Sequence, residues 1–89
     1  MNVNEDWLVS LSVAETDGQT RAEARLAVPG GNQLAGHGQA RRNPADREVA
    51  RIGAQLAAAR ALSDLAGQLL HAAATAIEDA THEQAHLDL

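Results

Sequence analysis

Between Trp7 and Arg41 apolar and polar positions alternate in three separate runs, and beyond Val49 the alternation gives way to a helical rhythm. The first run, residues 7–14, sets Trp7, Val9, Leu11 and Val13 on one face and Leu8, Ser10 and Ser12 on the other, which predicts a strand. Residues 15–19 contain Asp-Gly and predict a turn. From Thr20 to Val28, Ala22, Ala24, Leu26 and Val28 share one face while Arg21, Glu23 and Arg25 share the other, the pattern of a half-buried second strand. Pro29-Gly30-Gly31-Asn32 supplies a fixed φ followed by residues that take positive φ cheaply, so a second turn is expected. A third strand over Gln33 to Arg41 would face Leu34, Gly36, Gly38 and Ala40 inward. Two missing side chains there would let a helix approach the sheet closely.

Asn43-Pro44-Ala45-Asp46 ends the extended region and offers a cap, so the main helix should begin near Val49. On a 100° wheel Ile52, Leu56, Ala59, Ala66 and Leu70 form the stripe expected to lie on the sheet. Leu62, Leu65 and Leu69 form a second arc beside it, and Arg60, Asp64, Gln68 and His71 are expected in solvent. Thr75-Ala76-Ile77-Glu78 has capping-box spacing. It predicts a second, short helix starting at Ala76, because one helix of more than about 30 residues would outrun the strands. The expected class is therefore α+β: a three-stranded antiparallel sheet followed by a long and a short helix, β-β-β-α-α, in a single domain over residues 1–89.

Composition bears on how such a domain is stabilised. Alanine accounts for 20 of the 89 residues and Trp7 is the only aromatic, so the core is built from few large side chains. A single core of this size supplies roughly 3–5 kcal/mol at best. There is no cysteine, which excludes disulfides and thiolate metal sites and leaves dimerisation as the expected supplement. No apolar run is long enough to span a membrane and the N-terminus is acidic, so a cytoplasmic protein without membrane contact is expected.

Net charge is −5, unevenly spread: residues 21–60 hold all seven arginines and three acids, and the remainder holds nine acids and no strong base. Arg21, Arg25 and Arg41 should share the outer face of the sheet with His37, while Arg42, Arg47 and Arg51 should cluster around the loop into the helix. Grouped guanidinium side chains suit phosphate contacts, so these six are the candidate anion or nucleic-acid surface. The plainer reading pairs them with the chain's own carboxylates or across a dimer.

His82-Glu83-Gln84-Ala85-His86 matches the H-E-x-x-H zinc-hydrolase motif. Only three residues follow, and a third ligand would have to come from Asp88, Glu78 or His71. A solvated tail is expected, with adventitious metal binding by His82 and His86 the next reading and a zinc-dependent hydrolase the remotest. Ser10, Ser12 and Ser63 lack a nucleophile context, and Gly36-x-Gly38 lacks the rest of a nucleotide-binding fingerprint. No catalytic residue, cofactor or small-molecule substrate is expected.

The run Ala40-Arg41-Arg42-Asn43-Pro44-Ala45-Asp46-Arg47, with Ile52-Gly53, Leu56, Ala59-Arg60-Ala61-Leu62-Ser63-Asp64-Leu65-Ala66 and Ile77-Glu78, resembles a small actinobacterial family of unknown function. Trp7 and the Thr20 to Leu26 run also fit its pattern, so the likeness spans nearly the whole chain. The resemblance implies a fold like the double-stranded-RNA-binding domain, homodimerisation, and the dormancy-induced behaviour of mycobacterial members likened in shape to ribosome hibernation-promoting factors. It marks Asn43, Pro44 and Asp46 as the family-motif loop. Ala50 stands where the family carries proline, His37 and Arg42 where it carries apolar residues, and His86 where it carries arginine. The leading expectation is a non-enzymatic cytoplasmic stress or dormancy protein that contacts a macromolecule, the ribosome or RNA, through its arginine surface. The rival is a structural or protein–protein module without nucleic-acid contact.

Overall fold

The structure, a computed structural model, describes residues 4–41 and 50–82. Strands β1 (Val9–Thr16), β2 (Gln19–Ala27) and β3 (Gln33–Arg41) form an antiparallel sheet in the order β1-β2-β3, followed by helix α1 (Ala50–Thr81). The α+β arrangement is the expected one.

Both turns follow from their residues. Asp17 and Gly18 have φ of 52° and 78°, the pair of positive values that a two-residue hairpin loop requires and that Asp-Gly adopts readily. The loop is so short that Glu15 pairs with Thr20 and Thr16 with Gln19, which is why β1 ends later than its apolar alternation suggests. In the second turn Gly31 N–H donates to Val28 C=O at 2.9 Å, with Pro29 second and Gly30 third at φ 73°, as in a type II turn.

Register sets the faces of the sheet. Ala22, Ala24 and Leu26 of β2 stand opposite Gly38, Gly36 and Leu34 of β3, and opposite Val13, Leu11 and Val9 of β1. All share the face toward α1. The two glycines act as expected: a Cβ at Gly36 would lie 2.4 Å from both Ala61 O and Leu65 N, and one at Gly38 would lie 2.3 Å from Ala57 O. The helix backbone itself rests on β3, where only a glycine leaves room.

That approach overturns the expected helix stripe. Ala57, Ala61 and Leu65 are the buried helix residues, whereas Ile52 is 58% exposed and Leu56 42%. Ala59 is exposed as well, and Ala66 and Leu70 are only half-buried. A flat strip of glycine backbone accepts alanine in close contact, and larger side chains on that line would hold the helix away. Of the residues expected in solvent, Arg60, Asp64 and His71 are exposed and Gln68 is half-buried, and three of them also bond to β3. Arg60 Nη1 donates to Gln39 C=O at 2.7 Å, Asp64 Oδ2 accepts from His37 N–H at 2.8 Å, and Gln68 Nε2 donates to Ala35 C=O at 2.7 Å. Spaced one turn apart, these side chains satisfy every second residue along the free edge of β3 and blunt it against further pairing. Of that group only His71 is exposed without such a bond to the sheet.

The expected second helix does not form, because α1 runs unbroken through Thr75 to Thr81. Alanine-rich sequence without glycine or proline between Gln68 and Thr81 favours continuation over a cap. The helix does outrun the sheet: 32 residues make about 48 Å at 1.5 Å per residue. It ends at His82, whose φ of 60° turns the chain and whose N–H donates to Glu78 C=O. His37 points outward from the sheet, so the departure there from the family's apolar residue costs no packing.

Gly67 offers an internal contrast, since a Cβ there would meet nothing within 4 Å. Gly67→Ala is expected to stabilise the fold by about 0.5–1 kcal/mol in urea denaturation, through helix propensity alone.

Candidate functional site

The two faces of the sheet differ in chemistry. On the outer face β2 and β3 place Arg21, Glu23, Arg25, His37, Gln39 and Arg41, and the outward positions of Arg21, Arg25 and Arg41 agree with the alternation. They do not act as one cluster. Arg25 Nε is ion-paired to Glu23 Oε1, and His37 Nε2 is hydrogen-bonded to Glu23 Oε2 at 2.9 Å. Arg21 Nη2 donates only to the amide oxygen of Gln19, at 3.5 Å, and Gln19 Nε2 in turn donates to Gln39 Oε1 at 3.0 Å. Arg51 is exposed in the first turn of α1, on the opposite side of the sheet. Arg42, Asn43, Pro44, Asp46 and Arg47 lie outside the described residues, as does His86. Among the described residues no group of three or more His, Asp or Glu side chains is placed to hold a metal ion.

Hydrogen bonds from Arg25 and His37 hold the Glu23 carboxyl below its ordinary value of 4.5. A depressed folded-state value contributes stability above the unfolded pKa, and that contribution is lost as pH falls through the folded one. Because Glu23 sits at the surface the effect is small. Glu23→Gln should lower stability slightly at pH 7, where the contribution is fully present, and flatten the acid limb, so that the two proteins converge as pH falls below the folded-state value. Chemical denaturation at stepped pH checks this.

The inner face is only partly covered. Val9, Leu11 and Val13 of β1 remain 42–45% exposed although they share the apolar face with the buried residues of β2. Width explains it: a helix about 10–12 Å across covers about two strands spaced by about 4.8 Å, and α1 is drawn over β2 and β3. Leu62 and Leu69 lie on the side of α1 opposite Arg60 and Asp64, and so toward β1; Leu62 is 42% exposed. The patch continues past Trp7 into an apolar depression of about 410 Å³ formed with Val28, Leu34, Leu69, Ala73 and Ala76. Contiguous apolar surface of this kind marks an interaction site.

Three residues with structural parts here escape the sequence pattern. Gln19 and Gln39 escape because an amide at a strand position looks like plain polar surface; Gln19 pairs with Arg41 and Gln39 with Arg21, so the two amides are diagonal neighbours whose hydrogen bond appears only with the register. Arg60 escapes as a structural residue because its partner is a backbone carbonyl, which no pattern of side chains records. Among the described residues no helix is long and apolar enough to cross a membrane.

A family model described as Rv2632c-like matches residues 5–86. The chain is 46% identical over 86 residues to uncharacterized protein Mb1767 of Mycobacterium bovis, covering 97% of this chain and 90% of that protein. It is also 46% identical over 82 residues to uncharacterized protein Rv2632c of Mycobacterium tuberculosis, covering 92% and 87% respectively. The crystal structure of Rv2632c superposes with a TM-score of 0.84, over 92% of this chain and 96% of that one.

Proposed function

The chain belongs to the Rv2632c-like family, and from that membership and its half-open sheet we propose that it is a non-enzymatic binding protein that works as a homodimer. One observation carries the reading: the apolar row Val9, Leu11 and Val13 continues the core of the sheet but has no helix of its own to cover it among the described residues. A second copy supplies what is missing, since its own long helix extends beyond its sheet and carries exposed apolar residues such as Ile77. Sedimentation equilibrium at micromolar concentration is expected to give twice the 9.3 kDa chain mass. A 9.3 kDa species alone ends the reading.

A second reading concerns the other face. The protein would then be a cytoplasmic, stress- or dormancy-associated partner of the ribosome or RNA, with the sheet-and-helix arrangement used as in a double-stranded-RNA-binding domain. What favours it is that Arg21 and Arg41 are exposed on the outer face with no carboxylate partner among the described residues. Co-sedimentation with ribosomes from starved and growing cells, lost in raised salt, is the expected result. Absence of co-sedimentation at low salt sinks it.

A further inference from the structure

We propose that Arg21 and Arg41 form a two-pronged clamp for a single phosphate group, on the outer face of the sheet beside the β1–β2 turn. This rests on the reading of the outer face as a phosphate-contacting surface, and it assigns that contact to two residues. Arg41 pairs with Gln19 across β2 and β3, and Arg21 stands two residues further along β2. The two arginines are therefore diagonal neighbours on one face, about 7–8 Å apart at the backbone. Long side chains starting at that spacing converge on one tetrahedral anion, each guanidinium offering paired N–H donors that match phosphate oxygens.

The surroundings single out this pair. An open depression of about 640 Å³ lies between Arg21, Arg41 and the Asp17-Gly18 turn. Gln19, held by Gln39, lines it and adds a neutral polar wall. Among the other described arginines, Arg25 is committed to Glu23 and Arg60 to the carbonyl of Gln39, and Arg51 lies on the opposite side of the sheet. Asp17 also lines the depression and forms no ion pair with either arginine among the described contacts, so its charge opposes an anion there. That opposition is itself testable.

The phosphate has two possible sources, a free phosphate or the phosphodiester backbone of a nucleic-acid strand, and the full-length chain should be titrated with each. The probes are inorganic phosphate, read from the arginine Nε–H signals by NMR, and a fluorescent single-stranded RNA 12-mer, read by anisotropy at several salt concentrations. Phosphate is expected to shift the Arg21 and Arg41 signals and leave that of Arg51 in place. Arg21→Gln and Arg41→Gln should each weaken binding about tenfold, the loss of one charge-assisted contact, while Arg51→Gln changes it less than twofold. For the RNA, each of the first two should lower the log–log salt slope by about 0.7. Asp17→Asn should tighten binding about threefold. All are surface changes, and unchanged melting curves confirm that each variant is folded. A response to phosphate but not to RNA supports the clamp and removes the RNA reading. RNA binding indifferent to Arg21 and Arg41, equal losses in Arg51→Gln, or no response to either probe overturns the clamp.

Discussion

Gly38→Ala is expected to cost about 3 kcal/mol or more, enough to leave much of the population unfolded at room temperature. The added Cβ would lie 2.3 Å from Ala57 O, 2.4 Å from Ala61 N and 2.8 Å from Arg60 C, all helix backbone atoms that cannot rotate away. Relief requires moving α1 off the sheet. That movement separates Ala57, Ala61 and Leu65 from Ala22, Ala24 and Leu26, which together make up most of the buried core. It also lengthens the three hydrogen bonds from Arg60, Asp64 and Gln68 to the edge of β3, so hydrophobic and polar losses coincide. Among the described residues no large side chain is fully buried elsewhere to offset the loss. Gly36→Ala should behave alike, and the double variant should not fold. Urea denaturation followed by circular dichroism measures this, with Gly67→Ala as the contrasting helix-to-sheet control. A loss under about 1 kcal/mol for Gly38→Ala would refute the close approach.

Leu11→Lys combined with Leu62→Glu is expected to convert the homodimer to a folded monomer. Each change puts a charge into the middle of the apolar surface that the second copy covers, at a cost of at least about 2 kcal/mol, or roughly thirtyfold in dissociation constant. Because the two sites are neighbours on one face their costs do not simply add, and the double variant should raise the dissociation constant by at least about thirtyfold. Both side chains are 42% exposed in the single chain, so the fold of each protomer should survive. Ser12→Lys is the control: it lies on β1 beside Leu11 but on the opposite face, and its dimer should persist. If the double variant stays dimeric in sedimentation equilibrium, the copies meet elsewhere. If Ser12→Lys dissociates with it, the edge of β1 and not its apolar face carries the contact.

These expectations draw on features of different legibility. The turn residues Asp17-Gly18 and Pro29-Gly30 and the alternation of β2 were enough to set the antiparallel order of the strands and the outward positions of Arg21, Arg25 and Arg41. Such signals are local: a turn type demands particular φ values, and a strand alternates whatever packs on it. Gly36 and Gly38 were legible for the same reason, as two side chains missing from one face.

The helix was legible as a helix but not in its orientation. Hydrophobicity favoured the line of Ile52, Leu56 and Leu70, yet the sheet buries Ala57 and Ala61, because backbone-to-backbone contact rewards small size over apolar area, with Leu65 the one large side chain buried on that line among the described residues. Arg60 and Asp64 read as solvated and are exposed, but their bonds to β3, with that of the half-buried Gln68, become visible only once β3 is placed as an edge whose carbonyls and N–H groups need partners. The break expected at Thr75 failed because a cap competes with helix propensity, and alanine settles that contest in favour of the helix. The sequence by itself thus determined the three strands, the main helix, their order and the charge on each strand face. Only the tertiary structure decided which side of α1 meets the sheet, and with it which apolar surface remains open. That choice depends on how closely two backbones can approach, a property of the pair that neither segment carries alone.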